Sequence, residues 1–355
     1  MMNVHLEGSR RPRPPSARTI YCDGSHDAAF RPGIDLELSH WVPNLTPARY
    51  KADTSTAICL RFVADSSRER GFELAVNNHV DVDGTLALFV LSQPELALAH
   101  RTLLVQAAEM GDFQGWGEMP AQRLYQALVL QLHDPAHAQA DPLERCERAF
   151  ALVHAALEGA PLPQADAGIA ALQRSLALLQ SDQIERTALG ERAVHFRFPA
   201  HVAASDLARC LAVPRFDADL ATSVLLLPQA RAKRDEQRLQ LISVQAGEGW
   251  FHDLLYPGYC WAETPDRWRP PGLLLGDGTY RLDHAPLHQA AAELNAAETR
   301  PGRWAVAESM SVFGGLAGRG FPVVLSLLHE GRAAASALAP QDVAQRLAAL
   351  WESAA

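Results

Sequence analysis

The segment Asn77-Asn78-His79-Val80-Asp81-Val82-Asp83-Gly84-Thr85-Leu86 carries the densest chemistry in the chain. One imidazole and two carboxylates stand at alternate positions, followed by a glycine and an apolar run to Leu91. In extended backbone, residues i, i+2 and i+4 share a face, so His79, Asp81 and Asp83 can converge on one ligand. Carboxylate oxygens with an imidazole suit a hard divalent cation, Mn²⁺ or Mg²⁺. Two other uses of the same residues stand beside this one. Asp81 can be a nucleophile with Asp83 as acid and base. Alternatively the segment is a polar turn in which Asp83 caps a helix and Gly84 eases the bend.

Something must hold these groups in place. Phe72 to Val76 reads as a short strand and Leu86 to Leu91 as the start of a buried helix, so the cluster falls where a strand ends and a helix begins. In open α/β sheets ligands bind at that edge. His40, in Ser39-His40-Trp41, and Asp53 are candidates for the same cleft. Asp53-Thr54-Ser55-Thr56 can offer hydroxyls and amides to a phosphate at a helix N-terminus.

Strand, His-x-Asp-x-Asp-Gly and apolar helix together resemble the first motif of the DHH phosphoesterase superfamily. Further segments are similar to an uncharacterised bacterial family that carries such a motif: Leu38 to Asn44, Ala52 to Thr56, and Ala107 to Phe113. The resemblance implies a mostly parallel sheet flanked by helices, a metal-dependent phosphoesterase activity, and His79, Asp81, Asp83 and Asp112 as metal ligands. Asp112 would be the lone aspartate that follows the next strand. No Asp-His-His triplet occurs. A second ion would therefore draw on His40, His133 or Asp253, the last in the pair His252-Asp253. Gly314 to Gly320 has the glycines of a substrate loop without its histidine.

Asp81-Val82-Asp83-Gly84-Thr85-Leu86 also resembles the opening motif of haloacid-dehalogenase-type phosphatases, which would make Asp81 a nucleophile. Lys233 and Leu275-Gly276-Asp277-Gly278 follow in the order such enzymes need. The approach to the nucleophile should be apolar, however, and here it is Asn77-Asn78-His79.

The 355 residues suffice for a large core and two lobes. A net charge of −9 gives little help with a long polyanion. A small phosphorylated substrate or nucleotide fits better than long nucleic acid. The five cysteines are scattered without metal-ligand spacing, as in a reduced, cytoplasmic protein. No leader-like apolar core or membrane-length apolar span is visible.

Residues 1–17, basic and proline-rich, read as a disordered tail. Thr19 to Cys22 reads as a strand that runs into an Asp23-Gly24 turn. Thr54 to Ala64 reads as a strand or short helix. Helical spacing marks Leu96 to Met110, Ala121 to His133, Leu143 to Leu157 and Gly168 to Thr187. Strands are expected at Ala193 to Pro199, Val224 to Leu227, Leu239 to Val244 and Val323 to Leu328. Helices are expected from Pro286 to Glu298 and from Pro340 onward. The aromatic segment Trp250 to Trp261 reads as core, or as a surface for stacking a ring. The whole reads as an α/β domain over 18–190 followed by a smaller α+β lobe over 191–355.

Overall fold

In the computed structural model, which describes residues 2–137, 139–215, 218–276 and 278–353, four short strands form a wholly parallel sheet. They are β1 (Asn3–Leu6), β2 (Thr19–Cys22), β3 (Leu36–Leu38) and β4 (Leu74–Asn77), in the order β1-β4-β2-β3. Cys22 pairs with Leu38, and Tyr21 with Val76. This register brings the residues just past β2, β3 and β4 level with one another at the carboxyl edge. Those residues are Asp23, Ser39-His40 and the segment that begins at Asn78.

Helices cover this sheet: α1 (Ser55–Ala64), α2 (Val82–Ser92), α3 (Pro94–Ala99), α4 (Arg101–Phe113), α5 (Met119–His133), α6 (Pro142–Leu157) and α7 (Asp166–Gln180). Every residue of α2 is buried, and α1, α4, α5 and α6 all pack on it. Its apolar run explains this. Burial of each large side chain from Leu86 to Leu91 is worth roughly 1.5–3 kcal/mol, and a helix apolar all round belongs in a core. Gly111 on α4 permits the close approach, since a Cβ there would lie 2.8 Å from Cβ of Val82.

The chain folds as two units. The first comprises residues 1–170 with 216–221 and 262–267, and the second takes the rest. The division falls inside α7, not at residue 190. Residues 262–267 return to the first unit and bind the loop after β3. Glu263 N–H donates to the carbonyl of His40, and the Glu263 carboxylate accepts from Asn44 and Lys51.

The N-terminal segment is not a disordered tail. β1 is an edge strand of the sheet, Ser9 and Arg10 donate to Asp141, and Arg13 pairs with Asp27 and Tyr21. The arginines that suggested a solvated tail each have partners: Arg10 donates to the Gln139 carbonyl, Arg11 to Glu147, and Arg13 to Asp27 and Tyr21.

The second unit is mainly antiparallel. It contains β5 (Glu185–Ala188), β6 (Ala193–Phe198), α8 (Ala200–Cys210), α9 (Pro228–Asp235), β7 (Leu239–Ala246), β8 (Gly249–Leu255), β9 (Leu273–Leu275), β10 (Tyr280–Leu282), α10 (Ala285–Ala297), β11 (Arg303–Val306), β12 (Ser309–Met310), β13 (Val323–His329), β14 (Arg332–Ala333), α11 (Pro340–Arg346) and α12 (Ala348–Ser353). One sheet runs β11-β13-β8-β7-β6-β5 with β14 on β13, and a small one runs β12-β10-β9. The helix expected to reach Thr187 stops at Gln180 and gives way to β5. Val224 to Leu227 forms no strand, and Trp250 to Leu255 lies in β8. Tyr256, Tyr259 and Trp261 are buried, as core residues. Among the described residues all five cysteines are buried and none forms a disulfide, and no helix is long and apolar enough to cross a membrane.

A buried hydrogen-bonded chain crosses the larger sheet. His252 Nε2–H donates to the carbonyl of Leu338 (3.1 Å), which leaves Nδ1 to accept from the Ser243 hydroxyl (2.8 Å). His195 Nε2–H donates to that same hydroxyl (2.8 Å). Burial pushes both imidazoles down to about 4. Unfolding restores the ordinary value of 6.5, so the unfolded chain takes up the protons first. Stability from these groups is full above pH 6.5 and is lost as pH falls toward 4. Denaturant midpoints should therefore fall over that range, and less steeply in His252→Gln. Parallel pH profiles for the two proteins would contradict this assignment.

Candidate metal centre

Four carboxylates and two imidazoles converge at the carboxyl edge of the parallel sheet. They form two ligand sets: Asp23, His40, Asp83 and Asp112, all buried, and Asp23, His79 and Asp81, of which the last two are partly exposed. Within each set the candidate ligand atoms lie within 4.8 Å of one another. Asp23 belongs to both.

Asp83 is fixed by α1. Its two oxygens accept from Ser55 N–H (2.7 Å) and Thr56 N–H (2.8 Å). These are first-turn amides with no partner inside their own helix, at its positive end. Thr54 caps the helix by accepting from Ala57. The Asp53-to-Thr56 amides expected to bind phosphate thus bind a carboxylate of this chain. Asp83 does not cap α2. Asp81 does, accepting from Gly84 N–H at 2.8 Å.

Asp23 lies in the left-handed region, φ 57°, followed by Gly24 at 70°, a conformation that aspartate tolerates better than most residues. Its Oδ1 accepts from Trp41 Nε1–H and the Ser55 hydroxyl, both at 2.9 Å. Its Oδ2 stands 3.2 Å from His79 Nε2. Asp112 comes from the last turn of α4, one residue after Gly111. The resemblance placed it after a strand; it reaches the centre from a helix end instead.

Both histidines are wired alike. His40 Nδ1–H donates to the carbonyl of Asp53 (2.6 Å), and His79 Nδ1–H to Asn78 Oδ1 (2.7 Å). Each Nε2 then faces carboxylates. For His40 these are Asp112 at 3.0 Å, Asp23 at 3.5 Å and Asp83 at 3.7 Å. For His79 they are Asp81 at 2.9 Å and Asp23 at 3.2 Å. A carbonyl that fixes one ring nitrogen while the other faces the carboxylates is the arrangement that suits a metal-ligating histidine.

The electrostatics say what is missing. Burial alone would lower both imidazoles, yet the carboxylates around His40 and His79 raise them well above 6.5. Burial, with the neighbouring Asp23 charge, raises Asp83 to about 6, and burial, with the neighbouring Asp83 charge, raises Asp112 well above its ordinary value. Burial would also raise Asp23, but His79 and His40 outweigh it and hold Asp23 below its ordinary range. Without a cation the cluster gathers protons between its carboxylates. With neutral imidazoles it carries four negative charges, the charge that two divalent cations would neutralise. The buried cluster could thus hold a metal ion.

Of the residues named from sequence, His79, Asp81, Asp83, Asp112 and His40 converge. Asp53 contributes its carbonyl; its side chain accepts from Arg267 and from Asp266 N–H. His133 ends α5 and is in neither ligand set. Asp253 lies on β8 of the second unit, paired with Arg319 of the Gly314-to-Gly320 loop. Lys233 lies on α9 of that unit, and Asp277 falls outside the described residues. Asp23 was missed. Its signal was the Thr19-to-Cys22 strand ending in Asp-Gly, the same pattern of strand end and carboxylate as at β4.

Residues 9–175 match a family described as a family of unknown function (DUF6687). The matched segment contains all six converging residues. No curated protein and no solved structure matches the chain.

Two outcomes test the centre. A Cβ on residue 84 would lie 1.9 Å from Asn77 Nδ2, 2.8 Å from Asp23 Oδ2 and 3.0 Å from Asp81 Oδ1. Gly84→Ala should therefore weaken Mn²⁺ binding about 10–100-fold, the scale of disturbing groups around a metal. Undiminished affinity by calorimetry would count against convergence at this point. The second outcome concerns pH. Raised folded values mean that the stability contributed by His40, His79, Asp83 and Asp112 is full below their unfolded values and is lost as pH rises through the folded ones. For Asp83 the window runs from 3.8 to about 6; for the imidazoles it opens above 6.5. Asp23 acts oppositely, losing its contribution only as pH falls below 3.8. A cation replaces those protons, so Mn²⁺ should raise the melting temperature more at pH 8 than at pH 5.5. An equal rise at both would argue against ligation by these groups.

Proposed function

We propose that the first unit is a divalent-metal-dependent phosphoesterase that hydrolyses a small phosphodiester or phosphoanhydride. The observation that carries this reading is Asp23, one carboxylate common to two ligand sets at the carboxyl edge of a parallel sheet. Mn²⁺ or Mg²⁺ bound there would acidify water and offset charge on a phosphoryl group.

The chain's own residues supply the rest. Asp23, His40, Asp83 and Asp112 would hold the buried position, and Asp23, His79 and Asp81 the outer one. His79 and Asp81 keep about a quarter to a third of their side-chain surface exposed (30% and 23%), so a substrate meets the outer set first. The amides of Ser55 and Thr56 hold the Asp83 carboxylate in the position from which it would bind a cation. Trp41 orients Asp23 through its indole N–H and stands edge-on to His79, ring centroids 5.3 Å apart.

The likeness to DHH phosphoesterases gains support from the occupied roles. Asp23 and His40 add a carboxylate and an imidazole that the first motif does not itself supply. The aspartyl-phosphate route finds less support, since Asp81 Oδ1 is engaged in capping α2 and Oδ2 lies against His79.

A panel of dinucleotides, cyclic dinucleotides, pyrophosphate and single-stranded DNA with Mn²⁺ tests the reading. Turnover of a small member is expected, with Asp23→Asn reducing it beyond the ~10–100-fold typical of a supporting residue. No turnover of any member by metal-loaded protein would favour a non-catalytic binding role. Robust degradation of long DNA would refute the small-substrate assignment.

A further inference from the structure

The last residue of β4 is buried in the centre without being a ligand. Asn77 is 1% exposed. Its Oδ1 accepts from the backbone N–H of His79 at 3.0 Å. That bond fixes the amide orientation, because a reversed carboxamide would set its NH₂ against an N–H. Nδ2 is therefore turned toward Gly84, where Asp23 Oδ2 and Asp81 Oδ1 surround the same point. Among the described residues Nδ2 has no hydrogen-bond partner.

A buried donor with nothing to donate to is rare in native proteins and costly. Here it sits beside the two carboxylates that line the outer position. Asp81 Oδ1 is already engaged by Gly84 N–H. We propose that Asn77 Nδ2 donates to an oxygen of a bound phosphoryl group, making Asn77 the residue that recognises the oxyanion at this site. The proposal rests on the metal-centre reading above, since the carboxylates around Asn77 would repel an anion until cations offset them.

The choice of side chain fits that task. A lysine or arginine here would pair with Asp23 and Asp81 and compete with cations for them. A neutral amide adds a donor without consuming the negative charge that holds the metals. It also lies close enough to Gly84 to exclude any side chain there. An oxyanion bound here would be recognised from one side by cations and from the other by a fixed dipole.

Two calorimetric titrations test this: Mn²⁺ into the full chain, then inorganic phosphate into the Mn²⁺-loaded protein. Wild type should bind phosphate only when loaded. Asn77→Asp keeps the acceptor for His79 N–H and replaces the donor. It should hold Mn²⁺ at least as tightly and lose about tenfold or more in phosphate affinity, the scale of one hydrogen bond to a charged group. Asn77→Ala should bind Mn²⁺ and show the same phosphate loss, which guards against misfolding of one variant. Phosphate binding equal to wild type in either Mn²⁺-loaded variant would overturn the role of Asn77. Wild type that binds Mn²⁺ but not phosphate would overturn it too, while leaving the metal centre standing. Wild type that binds no Mn²⁺ would overturn the metal centre itself and this proposal with it.

Discussion

The grip of α1 on Asp83 is the constraint from which the rest of the site follows. A carboxylate buried in the first turn of an all-buried helix would be ruinous without donors. Two backbone amides at the positive end of another helix supply them. The same contact docks α1 against α2 and fixes the loop before α1. That loop carries the Asp53 carbonyl that aims His40. One interaction therefore orients ligands from two separate strand ends. It also leaves the outer lone pairs of Asp83 directed at the cluster, since each oxygen accepts only one backbone bond.

A second layer fastens the pieces that this contact does not reach. Arg267 pairs with Asp53 and with Glu109, one turn before Asp112 on α4, and lies over the ring of Phe113. It thus ties the loop that orients His40 to the helix that delivers Asp112. Glu263 does the same for the backbone after His40. These supports come from residues far along the chain; the Arg267 side chain is buried between its two carboxylates, while Glu263 and Lys51 are partly exposed.

What could be read from sequence was the local part. The alternation of His79, Asp81 and Asp83 and the apolar run after them specified a strand end, a helix and a shared face; the strand end and the helix are there, but Asp83 lies inside α2 and joins Asp23, His40 and Asp112, while His79 and Asp81 form a separate set with Asp23. Helices at 119–133 and 142–157 follow their spacing closely. Asp23 was hidden because an Asp-Gly after a strand is also the commonest kind of turn; only the strand order, with β2 beside β4, distinguishes the two. Asp53 was chosen for its side chain and serves through its backbone, which no residue type advertises. The N-terminal segment misled for the opposite reason: its composition is that of solvated chains, but its arginines find partners brought near by the sheet.

The return of residues 262–267 to the first unit has a consequence for biosynthesis. When Ala170 has been made, every proposed ligand exists, yet the segment that secures His40 and Asp112 has not. Some 90 residues remain to be added before Ala262, roughly 5–20 s at a translation rate of ~5–20 residues per second. During that interval the nascent unit holds an acidic cluster with its walls unfastened. The supports of the cluster thus arrive after residues 171–215 and 222–261 of the second unit and before residues 268–355.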